Sequence, residues 1–199
     1  MTLPTAPSNP PPPLSLDEAV EYAIAAMHGG PADDLRRAFD KIDEDAGVAL
    51  RKVLEAATRC ERVPDDFREA LHLAWTVRGF HYRADIQDDD LFIRAFRRVF
   101  SPYNGSRLVL YRGERSSELE AGRIGLNWST DQEVAKMFAS GLCTAYGCDG
   151  VLLTATAEPS AIIAGPNDHS ANWLGEMEHI VDPRMLVELE EVARFPPST

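Results

Sequence analysis

The sequence predicts an α+β protein, with a helical region ahead of a β-rich one. Two observations carry this expectation. From Ser15 to Phe100 the apolar residues recur at helical spacing, and from Pro102 onward the pattern changes to short apolar runs separated by turns. Strands with few helices and short connections suggest a sheet that is mostly antiparallel or split. Residues 1–14, 15–100 and 101–199 are therefore read as a leader, a helical region and a β-rich core.

The leader is rich in proline, with Pro4, Pro7 and then Pro10 to Pro13, a composition that favours extended backbone and buries little. It reads as a flexible leader or a docking motif. Ser15 with Glu18 fits a capping box, opening a helix with Leu16, Ala19, Val20, Ala23 and Ile24 on one face. Gly29-Gly30-Pro31 stops it. Leu35, Phe39, Ile42, Leu50, Val53, Leu54 and Ala57 mark a second helical stretch, with a break near Gly47. Pro64 suits the first turn of a third helix carrying Phe67, Leu71 and Trp75. Asp88 to Asp90 can cap a fourth, with Leu91, Phe92, Phe96 and Val99 inward.

In the second half, 107–111 reads as a strand and 116–121 as a short polar helix. Residues 124–128 form a second strand candidate, and 131–140 a helix ended by Gly141. Strands follow at 150–157, 161–164, 176–181 and 185–192, with a loop from Gly165 to Gly175.

Composition narrows the function. The chain has 199 residues, 44% hydrophobic and 26% charged, as in a soluble globular protein. No apolar run nears the roughly 20 residues needed to cross a membrane, and the N-terminus shows no secretory signal. The net charge of −12 argues against broad electrostatic binding to nucleic acid or anionic lipid, while a local contact stays open. Cys60, Cys143 and Cys148 are read as reduced thiols, which points to the cytoplasm, and no His or Cys cluster completes a metal site.

Three short motifs carry chemistry. Arg112-Gly113 closes an apolar strand, where the planar fork of arginine can grip a phosphate or carboxylate and the glycine lets backbone approach a ligand. Ser129-Thr130 closes another strand before a helix, and either hydroxyl can serve as its N-cap. Glu176-Met177-Glu178 opens an apolar run ended by Pro183. In a strand the two glutamates share one face, about 6–7 Å apart. Each motif also has a plain reading: a strand-end arginine, a cap, and two surface glutamates.

Taken in order, Arg112, Ser129-Thr130 and Glu176-x-Glu178 resemble the signature of the mono-ADP-ribosyltransferases of the Arg, Ser-Thr, Glu-x-Glu branch, known from bacterial toxins and phage proteins. The resemblance covers about 105–195. It departs from the family where Asp131 follows the Ser-Thr pair, and in the short link from Arg112 to Ser129.

The resemblance implies a split β-sheet core with NAD, as substrate, in a cleft between two sheets. Arg112 would hold the phosphates, and the backbone of Gly113 would bond the nicotinamide amide. Ser129, with Thr130 beside it, would position Glu178. Glu178 would accept a hydrogen bond from the 2′-hydroxyl of the nicotinamide ribose, a bond that strengthens as the glycosidic carbon becomes oxocarbenium-like. Glu176 would orient or deprotonate the acceptor, an arginine side chain of a target protein in many members and nucleic acid in some. Phe138 can stack on nicotinamide, although its spacing with Val134 and Ala135 favours packing. Trp173 either contacts the acceptor or anchors its loop, and His169 and His179 are bystanders. No metal is implied; a neutralising or docking protein is a further partner. An NAD glycohydrolase, a silent binding module and a structural domain are the alternatives.

Overall fold

The computed structural model describes residues 12–197. Most of the Pro-rich leader lies outside the described residues. Where it enters them it is tied down: Arg37 donates to the Pro12 carbonyl at 2.8 Å, and Leu14 packs on the helical core.

Five helices come first: α1 (Leu16–Met27), α2 (Leu35–Ile42), α3 (Ala49–Ala57), α4 (Asp65–Ile86) and α5 (Asp89–Val99). Ser15 and Glu18 form the expected capping box, and Asp88 caps α5 by accepting from the Leu91 N–H. The break in the second stretch is a 3-10 turn at Asp43–Asp45, which divides it into α2 and α3. Pro64 stands as the N-cap of α4 rather than inside its first turn. The 22 residues of α4 bury Phe67, Leu71, Trp75, Gly79, Tyr82 and Ile86, spaced three or four apart along one stripe.

The second half contains β1 (Leu108–Arg115), α6 (Ser116–Glu120), β2 (Asn127–Ser129), α7 (Gln132–Met137), β3 (Gly150–Ala157), β4 (Ile162–Ala164), β5 (Glu178–Val181) and β6 (Val187–Phe195). Several boundaries differ from the expected ones. β1 runs on past Arg112 and Gly113, so neither ends the strand. The helix expected over 131–140 passes into a π-helical turn at Phe138–Cys143, which carries the chain through Gly141. Asp131 is the N-cap of α7, accepting from the Glu133 N–H, in place of Ser129 or Thr130. β5 starts at Glu178, leaving Glu176 outside it.

The strands form one six-stranded sheet, in the order β4-β5-β2-β1-β3-β6, and every pairing is antiparallel. This corrects the expectation of two sheets with a cleft between them. The sheet is nonetheless nearly divided. β1 pairs with β3 along its whole length, but with β2 only at Tyr111 and Ser129. Beyond that pair the backbones of β1 and β2 no longer bond to each other, and a seam opens at Arg112.

One apolar core joins the two halves. Leu126, Ile163, Ala164 and Ile180 from the sheet belong to the same buried cluster as the helical residues Trp75, Phe92 and Phe96. Polar contacts reinforce it: Arg83 donates to the carbonyls of Arg123 and Ile124, and Asn167 donates to Thr76. A second cluster, around Leu110, Trp128 and Leu153, sits within the sheet region, and α7 covers a third around Leu152. A chain beginning at residue 101 would expose the first of these faces. It should bind a hydrophobic dye and melt without cooperativity; a sharp melting transition in that fragment would refute the shared core.

Candidate active site

The seam is closed by side chains. Arg112 and Glu114 alternate onto one side of β1, and Arg112 Nε donates to Glu114 Oε2 at 2.8 Å. Arg112 Nη1 donates to the Asn127 carbonyl at 2.6 Å, and the Gly125 N–H donates to Glu114 Oε2 at 2.9 Å. An arginine–glutamate pair thus stands where backbone bonds between β1 and β2 would be. Burial acts to raise the Glu114 carboxyl, but the Arg112 guanidinium and the N–H groups of Gly125 and Arg115 outweigh it and hold the carboxyl below its ordinary range.

Along this seam lies a cavity of about 550 Å³, within the usual range for small-molecule sites. Arg112, Gly113, Ser129, Phe138, Glu176 and Glu178 all line it. Thr130 and Trp173 are not in its lining. Trp173 is 81% exposed and stacks on His169, ring centroids 6.4 Å apart.

Gly113 has a different reason to be glycine than the one expected. A Cβ there would lie 2.4 Å from the Ala139 nitrogen and 2.5 Å from the Ala135 carbonyl oxygen. The missing side chain therefore admits α7 and its π-helical turn against the strand, where the sequence reading had a ligand.

The two glutamates reach the cavity by an unexpected route. Met177 between them has φ of 49°, in the left-handed region, so simple strand alternation does not relate Glu176 to Glu178. The turn is held by Ser129 and Ser170. Ser129 Oγ donates to the Glu176 carbonyl at 2.6 Å and accepts from the Asp131 N–H. Ser170 Oγ accepts from the Glu178 N–H, and the Glu176 N–H donates to the Ser170 carbonyl. Ser129 thus positions the backbone of the glutamate turn, its hydroxyl bonding to the Glu176 carbonyl and the Asp131 N–H rather than to the Glu178 carboxylate.

Glu178 is the outlying group of the site. Its Oε1 atom is shut off from solvent and has no hydrogen-bond partner among the described residues. Burial first, then the charge of Glu176, pushes its carboxyl up to about 8, while the Asn127 amide and Arg112 act in the opposite direction. Burial also raises Glu176, against the influence of His169. Of the two remaining histidines of interest, His179 lies buried behind the site, its Nδ1 2.9 Å from the Met177 carbonyl, and His169 joins the cavity wall.

Sequence reading missed four contributors. Glu114 was hidden because the strand was taken to end at the Arg-Gly pair; carried two residues further, alternation puts it beside Arg112. Asn127 could have been noticed as an amide within an apolar run. Trp75 gave only a core-helix pattern and Phe80 fell outside that pattern; both lie on α4 and line the cavity. Compared with protein-family models, with curated proteins and with solved structures, the chain matches none. Fold and cavity by themselves define the class: an α+β protein whose helical half walls a buried-carboxylate cleft in an antiparallel sheet.

Two stability measurements test this geometry. Arg112→Lys keeps the charge but cannot serve both Glu114 and the Asn127 carbonyl, and should lower stability by about 1–3 kcal/mol in urea denaturation; an unchanged midpoint would remove the pair from its bridging role. For Glu178 the folded carboxyl lies above its ordinary value of 4.5. The folded state then binds the proton more tightly, so this stabilisation is complete below about pH 4.5 and is lost as pH rises through 8. Glu178→Gln should match wild type in melting at pH 5 and exceed it by several degrees at pH 8.5, a difference on the order of a few kcal/mol. Parallel melting curves across that range would show that Glu178 is not held protonated.

Proposed function

We propose that this protein is an NAD-dependent mono-ADP-ribosyltransferase, acting on an arginine side chain of a target protein. The observation that carries the proposal is the Glu178 carboxylate, buried in the cavity with an oxygen that has no partner among the described residues, and flanked by Arg112 and Glu176. Structural proteins rarely leave a buried carboxyl oxygen unpaired, because the desolvation is uncompensated. Such groups concentrate where a ligand completes the bonding.

The residues present fit NAD. Arg112 is oriented by Glu114 and Asn127, and its Nη2 carries no hydrogen bond to a described residue, so it can meet a phosphate. The rings of Phe80 and Phe138 offer apolar surface for a heteroaromatic group. The orphan oxygen of Glu178 can accept from a ribose hydroxyl. In the reaction, the bond between nicotinamide and ribose breaks and nicotinamide leaves with the bonding electrons. The Glu178 carboxylate stabilises the positive charge that develops on the sugar. The acceptor nitrogen forms the new bond and gives its proton to Glu176, whose raised proton affinity suits a general base.

The surroundings favour a protein acceptor over nucleic acid. Val77, Phe80, Leu142 and Leu174 line the cavity and are exposed, as are Trp173, in the π-helical segment before the glutamate turn, and Met177 within that turn. An apolar rim of this kind matches a protein surface, and a net charge of −12 repels a polyanion.

The test separates transfer from hydrolysis. Glu178→Gln should abolish both nicotinamide release and labelling of protein by adenine-tagged NAD. Glu176→Gln should lose most labelling and keep part of the slow hydrolysis, since water needs less positioning than a macromolecule. Nicotinamide release with no labelled macromolecule in a lysate would identify a glycohydrolase instead. Full activity in Glu178→Gln would remove the mechanism.

A further inference from the structure

The helical half reaches the buried carboxylate through one hydrogen bond. Trp75 Nε1 on α4 donates to Asn127 Oδ1 on β2 at 2.7 Å. An indole N–H can only donate, so it must face the oxygen end of the amide. The NH2 end is thereby turned away from the helix; Asn127 and Glu178 stand on adjacent strands, two register positions apart on one face, both line the cavity, and the amide acts to hold the carboxyl down. The same residue accepts from Arg112 through its carbonyl. Asn127 is therefore bonded to helix and arginine and lies beside the carboxylate on the same face of the sheet.

We propose that Trp75 and Asn127 form a positioning pair, through which the helical half orients the Glu178 side chain. This inference rests on the transferase reading for its catalytic consequence, but not for its structural content. Trp75 is itself held in one orientation. Its ring centroid lies 5.0 Å from that of Phe92 and 4.8 Å from that of Phe96, and it is buried. Gly79, one turn further along α4, lets the indole lie against the helix: a Cβ there would come within 3.0 Å of the ring. An indole fixed by its own helix fixes the amide, and with its oxygen held by the indole the amide has only its NH2 end to offer the neighbouring carboxylate.

A donor to a carboxylate favours its charged form, the form that can stabilise a cation. Other charged groups act on Glu178 as well. Glu176 of its own turn opposes ionisation, and Arg112 of β1 favours it. Glu114, Arg83, Arg115, His81 and His169 line the same cavity. Of the side chains that act on Glu178, the Asn127 amide is the uncharged one, and an apolar residue of the helical region holds it.

The test is Trp75→Phe in the full chain, which keeps an aromatic ring among Phe92 and Phe96 and removes the donor together with part of the indole's bulk. Freed of the indole, the amide can turn its oxygen toward Glu178. The side-chain carboxyl of Glu178, followed by carbon NMR of glutamate-labelled protein and assigned with Glu178→Gln, should then titrate about one unit higher. Nicotinamide release at pH 7 should fall about tenfold, with the rise in kcat/KM displaced to higher pH by the same unit. Asn127→Leu, near in size and lacking the donor, should shift the titration in the same direction and guards against misfolding of the tryptophan variant. Unchanged titration of Glu178 in both variants would overturn the proposal. Because the titration is read without NAD, that outcome is distinct from failure of the transferase reading, which would leave the titration shifted and no activity in any variant.

Discussion

The ion pair between Arg112 and Glu114 holds the sheet together at the place where its backbone bonding stops. β1 and β2 share one registered pair, and beyond it the strands are joined by guanidinium to carbonyl and by N–H to carboxylate. A buried pair of this kind is seldom a net gain over apolar packing, but breaking it leaves an uncompensated charge. Its value lies in geometry. Side chains span a wider gap than a ladder of backbone bonds, so the seam can open into a cavity without the sheet falling into two. The arginine that closes the seam is by the same contacts aimed along the cavity wall.

Glu178 shows the complementary strategy. No described residue satisfies its Oε1, and its neighbours include a second carboxylate. The left-handed Met177 adds backbone strain to the same turn. Both features work against stability, and the fold withstands them because β5 is anchored elsewhere: Ile180 and Val181 are fully buried, and two serine hydroxyls hold the turn. Rigid support around a strained, under-bonded group is the arrangement expected where binding completes what folding leaves open.

The helical half is a wall of the site as well as a partner in the core. From α4 alone, Trp75, Phe80 and Arg83 line the cavity, and Trp75 also belongs to the stripe that buries Phe67, Leu71 and Tyr82 in the core. Packing and chemistry are thereby coupled through one element. A change in how α4 sits on the sheet would move the indole, the amide it holds and the rim of the cleft together.

What the sequence determined by itself was local. Capping residues and apolar spacing depend on neighbours three or four positions away, so the helices at 16–27 and 89–99 and the buried strand at 150–157 could be read directly. The order Arg112, Ser129, Glu178 was also visible, because each motif is short and contiguous. Where elements ended was less legible: an arginine and a glycine look like a strand end, yet pairing with β3 carries β1 on to Arg115. The tertiary structure alone decided which side chains meet. Trp75 and Asn127 are 52 positions apart and Ser129 and Glu176 are 47 apart, and no periodicity relates residues at such distances. The left-handed Met177 had no trace in the sequence either, since methionine carries no preference for that conformation; it is imposed by the bonds that hold the turn from outside.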